Sequence, residues 1–282
     1  MTFPPDLAAE VERNVQAALA EDIGSGDLTA LLAPAARPAT GIVISREDAV
    51  LCGTAWFDAC LRHLDPAVRI DWQARDGDRI AAGQVLCAIA ADTRALLSGE
   101  RSALNFLQLL SGTATQTRRY VDAVAGTRAQ IVDTRKTLPG LRRAQKYAVT
   151  CGGGTNHRIG LYDGILIKEN HIIAAGSVTA AFERARAIAP PGVFIQIEVE
   201  TLEQLAEALD AGATMILLDN MDLRQMRQAV GLTAGRAALE ASGGVRLDSV
   251  RAIAETGVDR ISIGTLTKDV RAIDLSLRHS EG

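Results

Sequence analysis

The sequence predicts an α/β protein: an N-terminal α+β open-sandwich domain followed by a six- or seven-stranded α/β barrel. Three observations carry this. Six short apolar runs in the second half (QIV, GILI, FIQI, MILL, AALEA and RISI) each end in charged or polar residues. Helix-length segments separate the runs, the pattern of consecutive β/α units around a parallel sheet. The first hundred residues lack that alternation and read as mixed helices and strands with glycine turns. In a barrel of this kind the C-terminal strand ends share one mouth, which carries the chemistry.

Taken in order, Asp6 to about Glu21 reads as an amphipathic helix with Leu7, Val11, Val15 and Leu19 on one stripe. EDIGSGDLT is a turn: Gly24 and Gly26 break the helix, and Asp27 can bond nearby backbone N–H groups. GIVIS and AVLCG read as strands, AWFDACLRHL as a helix and VRIDW as a strand. DGDRIAAGQVLCAIA has turn–strand–turn–strand character and resembles a piece of a biotinyl or lipoyl hammerhead. A carrier of that type needs a lysine at a hairpin tip, and no lysine precedes Lys136, which excludes the role. Thr93 to about Gly126 is one or two helices, with Leu96, Leu97, Leu104, Leu107 and Leu110 spaced for burial. The β/α alternation runs from Gln130 to about Lys268. VRAIDLSLR is too short for another unit and is expected to pack back on the first domain. The expected domains are therefore 1–110, joined by 270–282, and 111–269.

Composition narrows the class. At 282 residues, 48% hydrophobic and 23% charged, the chain is an ordinary globular one with room for a sizeable core. A net charge of −4 offers no global basic field for nucleic acid, so any cationic site is local. No apolar run approaches the ~18 residues that span a bilayer. MTFPPDLAAE lacks a basic and an apolar segment, so no signal peptide is expected. Cys52, Cys60, Cys87 and Cys151 form no CxxC pair and read as buried free thiols. The expectation is a cytoplasmic enzyme. Of 30 Lys and Arg, only Lys136, Lys146, Lys168 and Lys268 are lysine, and two of these fall at strand ends facing the mouth.

The strand ends carry the candidate chemistry. Arg135 and Lys136 stand together before Pro139, which suits a first helical turn, and two cations beside a helix N-terminus make an anion site. Gly152, Gly153 and Gly154 strip side chains from a loop that then delivers His157 and Arg158, with Lys168 one strand later. His171 reads as a helix cap or as a support behind the site rather than as a direct contact. Glu198 and Asp219 end successive strands and could do acid/base work or hold Mg²⁺. Glu200 either shares the face of Glu198 or caps the helix starting near Thr201. Ser242, Gly243, Gly244 and Gly264, at the last two strand ends, match the usual phosphate site of such barrels. Together these describe an enzyme for an anionic, phosphorylated substrate. Spacing alone does not single out Arg101, which with Glu100 opens a long apolar helix.

In order, EDIGSGDLT, ERSALN, DTRKTLPGLR, GGGTNHRIGL, LIKENH, EVETLEQ, LLDN, ASGG and ISIGTLT resemble the quinolinate phosphoribosyltransferase family over almost the whole chain. The resemblance implies conversion of quinolinate and phosphoribosyl pyrophosphate to nicotinate mononucleotide, CO₂ and pyrophosphate, with Mg²⁺, in NAD biosynthesis. It also implies a homodimer with shared active sites, further association being left open. By that resemblance Arg135, His157, Arg158 and Lys168 form the quinolinate pocket, joined by Arg101 of a neighbouring subunit. Lys136 faces the pyrophosphate, Glu198 and Asp219 the ribose hydroxyls and Mg²⁺, and Ser242, Gly243, Gly244 and Gly264 the 5′-phosphate. Where SGN is expected, this chain has SGG, so Gly244 can offer only backbone.

Two other readings compete. A paralogous group linked to molybdate uptake shares the fold but is expected to differ around TNHR and KENH. A class I aldolase would form a Schiff base on Lys168. A non-catalytic phosphate binder is disfavoured because cations and carboxylates converge on one mouth.

Overall fold

The computed structural model describes residues 7–280. The first half contains α1 (Ala8–Ile23), β1 (Pro38–Ser45), β2 (Ala49–Val50), α2 (Thr54–Leu64), β3 (Arg69–Trp72), β4 (Arg79–Ile80), β5 (Val85–Asp92) and α3 (Thr93–Ala123). Then come β6 (Gln130–Val132), α4 (Arg142–Cys151), β7 (Gly164–Ile167), α5 (Glu169–Ala175), α6 (Val178–Ile188), β8 (Phe194–Val199) and α7 (Leu202–Asp210). The chain closes with β9 (Met215–Asp219), α8 (Leu223–Thr233), β10 (Ala238–Ser242), α9 (Val250–Ala254), β11 (Arg260–Ser262), α10 (Thr265–Lys268) and β12 (Leu275–Ser280). Two compact units result. The first holds residues up to 118, 137–153 and those from 266 onward; the second holds 119–136 and 154–265. Thus α4 clusters with the first unit, although its sequence lies inside the stretch read as barrel.

The first unit is built on a four-stranded antiparallel sheet of order β12-β1-β5-β3. β12 lies against β1 with Val43 opposite Leu277. The stripe of α1 is buried as its spacing predicts, at Leu7, Val11, Val15 and Leu19, while Asp6 lies outside the described residues. Asp27 accepts the N–H groups of Ala30 and Thr29 at 3.0 and 2.9 Å. The Ala30 bond first, then that from Ser98, holds its carboxyl below the usual range. α3 is one helix of 31 residues. Leu96, Leu104, Leu107 and Leu110 are buried, but Leu97 is 41% exposed, because one residue's turn from Leu96 carries it off the stripe. Gly112 lets the 271–272 backbone cross α3: a Cβ there would overlap the Arg271 carbonyl.

All four cysteines are free and buried. Folding brings Cys52 and Cys151 together with Asp76, their ligand atoms within 4.8 Å of one another, which sequence spacing did not show. Asp76 is already occupied. Its Oδ1 accepts the N–H groups of Gly53 and Thr54, and its Oδ2 the Tyr147 hydroxyl at 2.9 Å. Burial pushes both Asp76 and Cys52 up from their ordinary pKa values. The cluster reads as a hydrogen-bonded core, not as an oxygen-rich Mg²⁺ site.

The second unit is a six-stranded parallel sheet of order β6-β11-β10-β9-β8-β7. Each expected apolar run forms a strand within about a residue of its place. Ile197, Leu239, Ala241 and Ile261 are buried and alternate with polar positions on the same strands, whereas on β9 the buried Ile216 and Leu218 flank the apolar Leu217. The sheet curls so far that side chains of β8 and β10 bond past β9. β6 and β7 are its two ends, and Thr155 adds one parallel bridge beside Val132. This is the expected α/β barrel, with six strands and a single bridging residue. No helix among the described residues is long and apolar enough to cross a membrane.

Candidate active site

A cavity of about 200 Å³ opens at the C-terminal strand ends of the second unit. Of the expected residues it gathers Arg135, Lys136, His157, Arg158, Lys168, Glu198 and Ser242. Asp219, Gly243, Gly244 and Gly264 stand at neighbouring strand ends outside the lining. Arg101 is exposed on the part of α3 that belongs to the first unit.

The cations are held by short, local structures. Arg135 and Lys136 follow β6, and the Lys136 N–H bonds Thr134 Oγ1 at 3.0 Å. Pro139 does not open a helix. Gly140 takes φ +78, a left-handed value that no helix contains, so α4 starts only at Arg142. The Arg135–Lys136 pair therefore lacks the helix turn expected directly after it. Gly264 has another use than a tight turn: a Cβ there would stand 3.0 Å from Lys136 Cδ, so the glycine makes room for that side chain.

The glycine run ends in a loop closed on itself. Asp163 accepts the N–H groups of Ile159 and Gly160 at 2.7 and 2.8 Å. Arg158 Nη1 donates to the Gly164 carbonyl at 3.0 Å, and buried Asp133 accepts the His157 N–H at 2.8 Å. Burial, and then the nearby Arg135, lowers the Arg158 pKa against the opposing pull of Asp163. A half-buried guanidinium beside a second one makes a candidate anion site. His157 lines the cavity, with its ring edge-on to Phe194 at a centroid distance of 5.6 Å.

The carboxylate side faces this cationic wall. Glu198 Oε2 lies 3.2 Å from Lys168 Nζ. Glu198 is paired with Leu217, so Asp219, two residues on, stands on the same strand face. Asn220, at φ +53, donates from Nδ2 to Asp219 Oδ2 at 2.8 Å and from its backbone to the Ser242 carbonyl. Gly243, at φ +104, is required there, since a Cβ would collide with the Asn220 side chain. Gly244, at φ +59, faces open space, a position that tolerates asparagine as well. His171 caps α5 by accepting the Lys168 N–H at 2.9 Å. Glu200 is exposed, and Thr201 rather than Glu200 caps α7 through its hydroxyl.

Sequence reasoning passed over four polar residues in and below the mouth. Asp133, Gln196 and Glu240 are at most 1% exposed, and Ser262 lines the cavity. Each sits within or directly after an apolar run, so it reads as an interruption. The available signal was the alternation itself, which sets Gln196 and Glu198 on one face of β8 and Glu240 and Ser242 on one face of β10.

Residues 27–111 match the family described as quinolinate phosphoribosyl transferase, N-terminal domain, and residues 113–278 its C-terminal domain. A Bacillus subtilis protein described as a probable nicotinate-nucleotide pyrophosphorylase (carboxylating) is 44% identical over 257 residues, covering 91% of this chain and 89% of that protein. A Mycobacterium leprae protein of the same description, without the qualifier, is also 44% identical, covering 93% and 95%. The structure of the nicotinate-nucleotide pyrophosphorylase from Francisella tularensis superposes with a TM-score of 0.95 at 42% identity, over 99% of this chain and 98% of that one.

Asp163 closes the loop that presents Arg158 through two of its amides. Replacing Asp163 with Ala leaves two amides without their acceptor, each bond contributing about 1 kcal/mol. Hydrogen exchange at Ile159 and Gly160 should accelerate about tenfold, while exchange in β9 and β10 stays unchanged. Equal protection in the variant would show that the loop holds its shape without Asp163.

Proposed function

The chain belongs to the quinolinate phosphoribosyl transferase family, both of whose domains it carries, and from that premise we propose how its own residues divide the work. The activity is phosphoribosyl transfer from phosphoribosyl pyrophosphate to quinolinate with decarboxylation. It yields nicotinate mononucleotide, pyrophosphate and CO₂ for NAD synthesis. The observation that carries the assignment of roles is the cavity with Arg135, Arg158 and Lys168 beside Glu198, in a chain of this family.

Quinolinate carries two carboxylates. Arg135, Arg158 and Lys168 neutralise them, and the anion relieves the repulsion between the two guanidiniums. His157 forms part of the pocket wall. The ring nitrogen bonds to the ribose C1 as pyrophosphate leaves. Positive charge that builds on the ribose is stabilised by Glu198 and Asp219. Lys136 faces the departing pyrophosphate, and Ser242, Gly243, Gly244 and Gly264 hold the 5′-phosphate. Glu198 and Asp219 are hard oxygen donors on neighbouring strands, a set that fits Mg²⁺ held by one or two carboxylates and substrate oxygens. When bound there, Mg²⁺ supplies charge neutralisation for the pyrophosphate. After transfer the ring nitrogen is cationic and draws electrons from the adjacent carbon. The C2–carboxylate bond breaks, CO₂ leaves, and the carbon takes a proton. No protein nucleophile is needed, so Lys168 acts as a cation and not as a Schiff base.

The site is proposed to be completed by Arg101 of a second copy in a homodimer. Arg101 is exposed in the first unit, whereas every lining residue belongs to the second. The first unit also exposes Leu28, Leu31, Leu32 and Leu97, which a contact between copies would cover. Four free thiols fit a cytoplasmic location.

Three outcomes test this reading. Nicotinate lacks the 2-carboxylate and leaves paired cations unsatisfied, so its kcat/KM should fall roughly 10³-fold below that of quinolinate. Comparable values for both would refute the pocket. Glu198→Ala or Asp219→Ala should lower kcat by roughly 10²-fold while quinolinate binding without the sugar donor, read by calorimetry, changes little. Lost quinolinate affinity at intact kcat would move these carboxylates to the other half of the site. Finally, Arg101→Ala and Glu198→Ala proteins, each nearly inactive, should on subunit exchange recover about a quarter of full activity. Half the dimers then carry one intact site. No recovery, with exchange confirmed by mass spectrometry, would place Arg101 on its own barrel.

A further inference from the structure

Below the mouth runs a chain of buried polar groups, of which the roles above use only His157. Arg260 Nε donates to Glu240 Oε2 at 3.1 Å, and Gln196 Nε2 donates to the same oxygen at 3.1 Å. Gln196 Oε1 meets His157 Nε2 at 2.6 Å. Gln196 is fully buried, Glu240 is 1% exposed, and the His157 side chain is 8% exposed. Gln196 has no access to water, so its amide must match donors and acceptors with these neighbours, while Glu240 Oε1, at the cavity floor, has no hydrogen-bond partner among the described residues.

That matching fixes the state of His157. A carboxylate only accepts, so the Gln196 amide must turn its NH₂ toward Glu240 and its oxygen toward the imidazole. An oxygen at 2.6 Å from Nε2 demands a hydrogen on Nε2. At the other side of the ring, the Arg158 backbone N–H donates to Nδ1 at 2.8 Å, so Nδ1 carries a lone pair. Two independent partners thus select the same tautomer. A charged imidazolium would set an N–H against the Arg158 N–H. The direct approach of Nε2 to Glu240 Oε1, at 3.9 Å, is too long to outweigh the bond to Gln196.

We propose that Gln196 and Glu240 are positioning residues that hold His157 as a neutral ring with its hydrogen on Nε2, so that His157 orients Arg158 and adds no charge to the site. The imidazole is a strut between barrel interior and loop. Arg260 anchors the chain by balancing Glu240. The positive charge offered to quinolinate is then that of Arg135, Arg158 and Lys168, with Glu198 beside the last of these. The consequence for quinolinate rests on the function proposed above. The tautomer does not, and can be read on the free protein.

The test is long-range ¹H–¹⁵N correlation of the imidazole rings at neutral pH in uniformly labelled protein, with the His157 signals identified by their loss in His157→Asn. The wild type should show one neutral ring protonated at Nε2. Gln196→Met keeps the volume but removes both bonds. It should shift the His157 pair toward averaged tautomers and raise the KM for quinolinate about tenfold, with a smaller change in kcat. Glu240→Gln preserves an acceptor for the Gln196 NH₂ and should retain the wild-type ring signature. An imidazolium or an Nδ1-protonated ring in the wild type would overturn the proposal, as would a Gln196→Met spectrum and KM matching the wild type. If the wild-type protein does not turn over quinolinate, the proposed function fails, while the ring spectrum still decides the role of Gln196.

Discussion

The site depends on keeping two half-buried guanidiniums near one another. Arg135 and Arg158 oppose each other, and burial adds to the cost of the Arg158 charge. Unrestrained, long side chains on a loop would move apart. Here the loop is tied at several points: Asp163 closes it, Asp133 grips its start, and the Gly164 carbonyl holds one guanidinium nitrogen. On the function proposed above, an anion entering between the two guanidiniums would relieve that repulsion, and binding energy would depend on ligand charge.

The barrel interior is the second part of the same device. Small parallel barrels are usually filled with branched apolar side chains, and this one has Leu166 and Leu217 at that level. Gln196, Glu240 and Arg260 replace further hydrocarbon with a directional network. A buried ion pair contributes little net stability. What it offers is orientation: the residues above it are seated on hydrogen bonds with one geometry, whereas apolar packing would let them slide.

Much of this was legible in the sequence because the relevant signals are periodic. The six apolar runs became β6 to β11 almost residue for residue; of the residues directly after them, Asp133, Lys168, Glu198 and Ser242 line the cavity, whereas Asp219 and Gly264 stand outside its lining. Three kinds of information were not periodic. The start of α4 depended on Gly140 adopting positive φ, which overrode the pull of Pro139 toward a helix. Gln196 and Glu240 were hidden inside apolar runs, where a lone polar residue reads as noise until the curl of the sheet brings it against its partner. The meeting of Cys52, Asp76 and Cys151 depends on tertiary folding alone. Loop closure by Asp163 and the positioning of Asp219 by Asn220 belong to the same class: one side chain, one or two bonds, no repeat.

The pairing of β12 with β1 bears on how the chain is made. Arg46 Nε and Ser276 Oγ, which bond across the edge of that pairing, are 230 residues apart in sequence. At ~5–20 residues per second, ribosomes leave β1 waiting roughly 10–50 s for its last neighbour. During that interval the nascent sheet exposes an open edge, the element on which chains stick to one another. The whole barrel is synthesised in the meantime. Residues 275–280 therefore act as a built-in seal on β1, and a chain cut before β12 would leave that edge open.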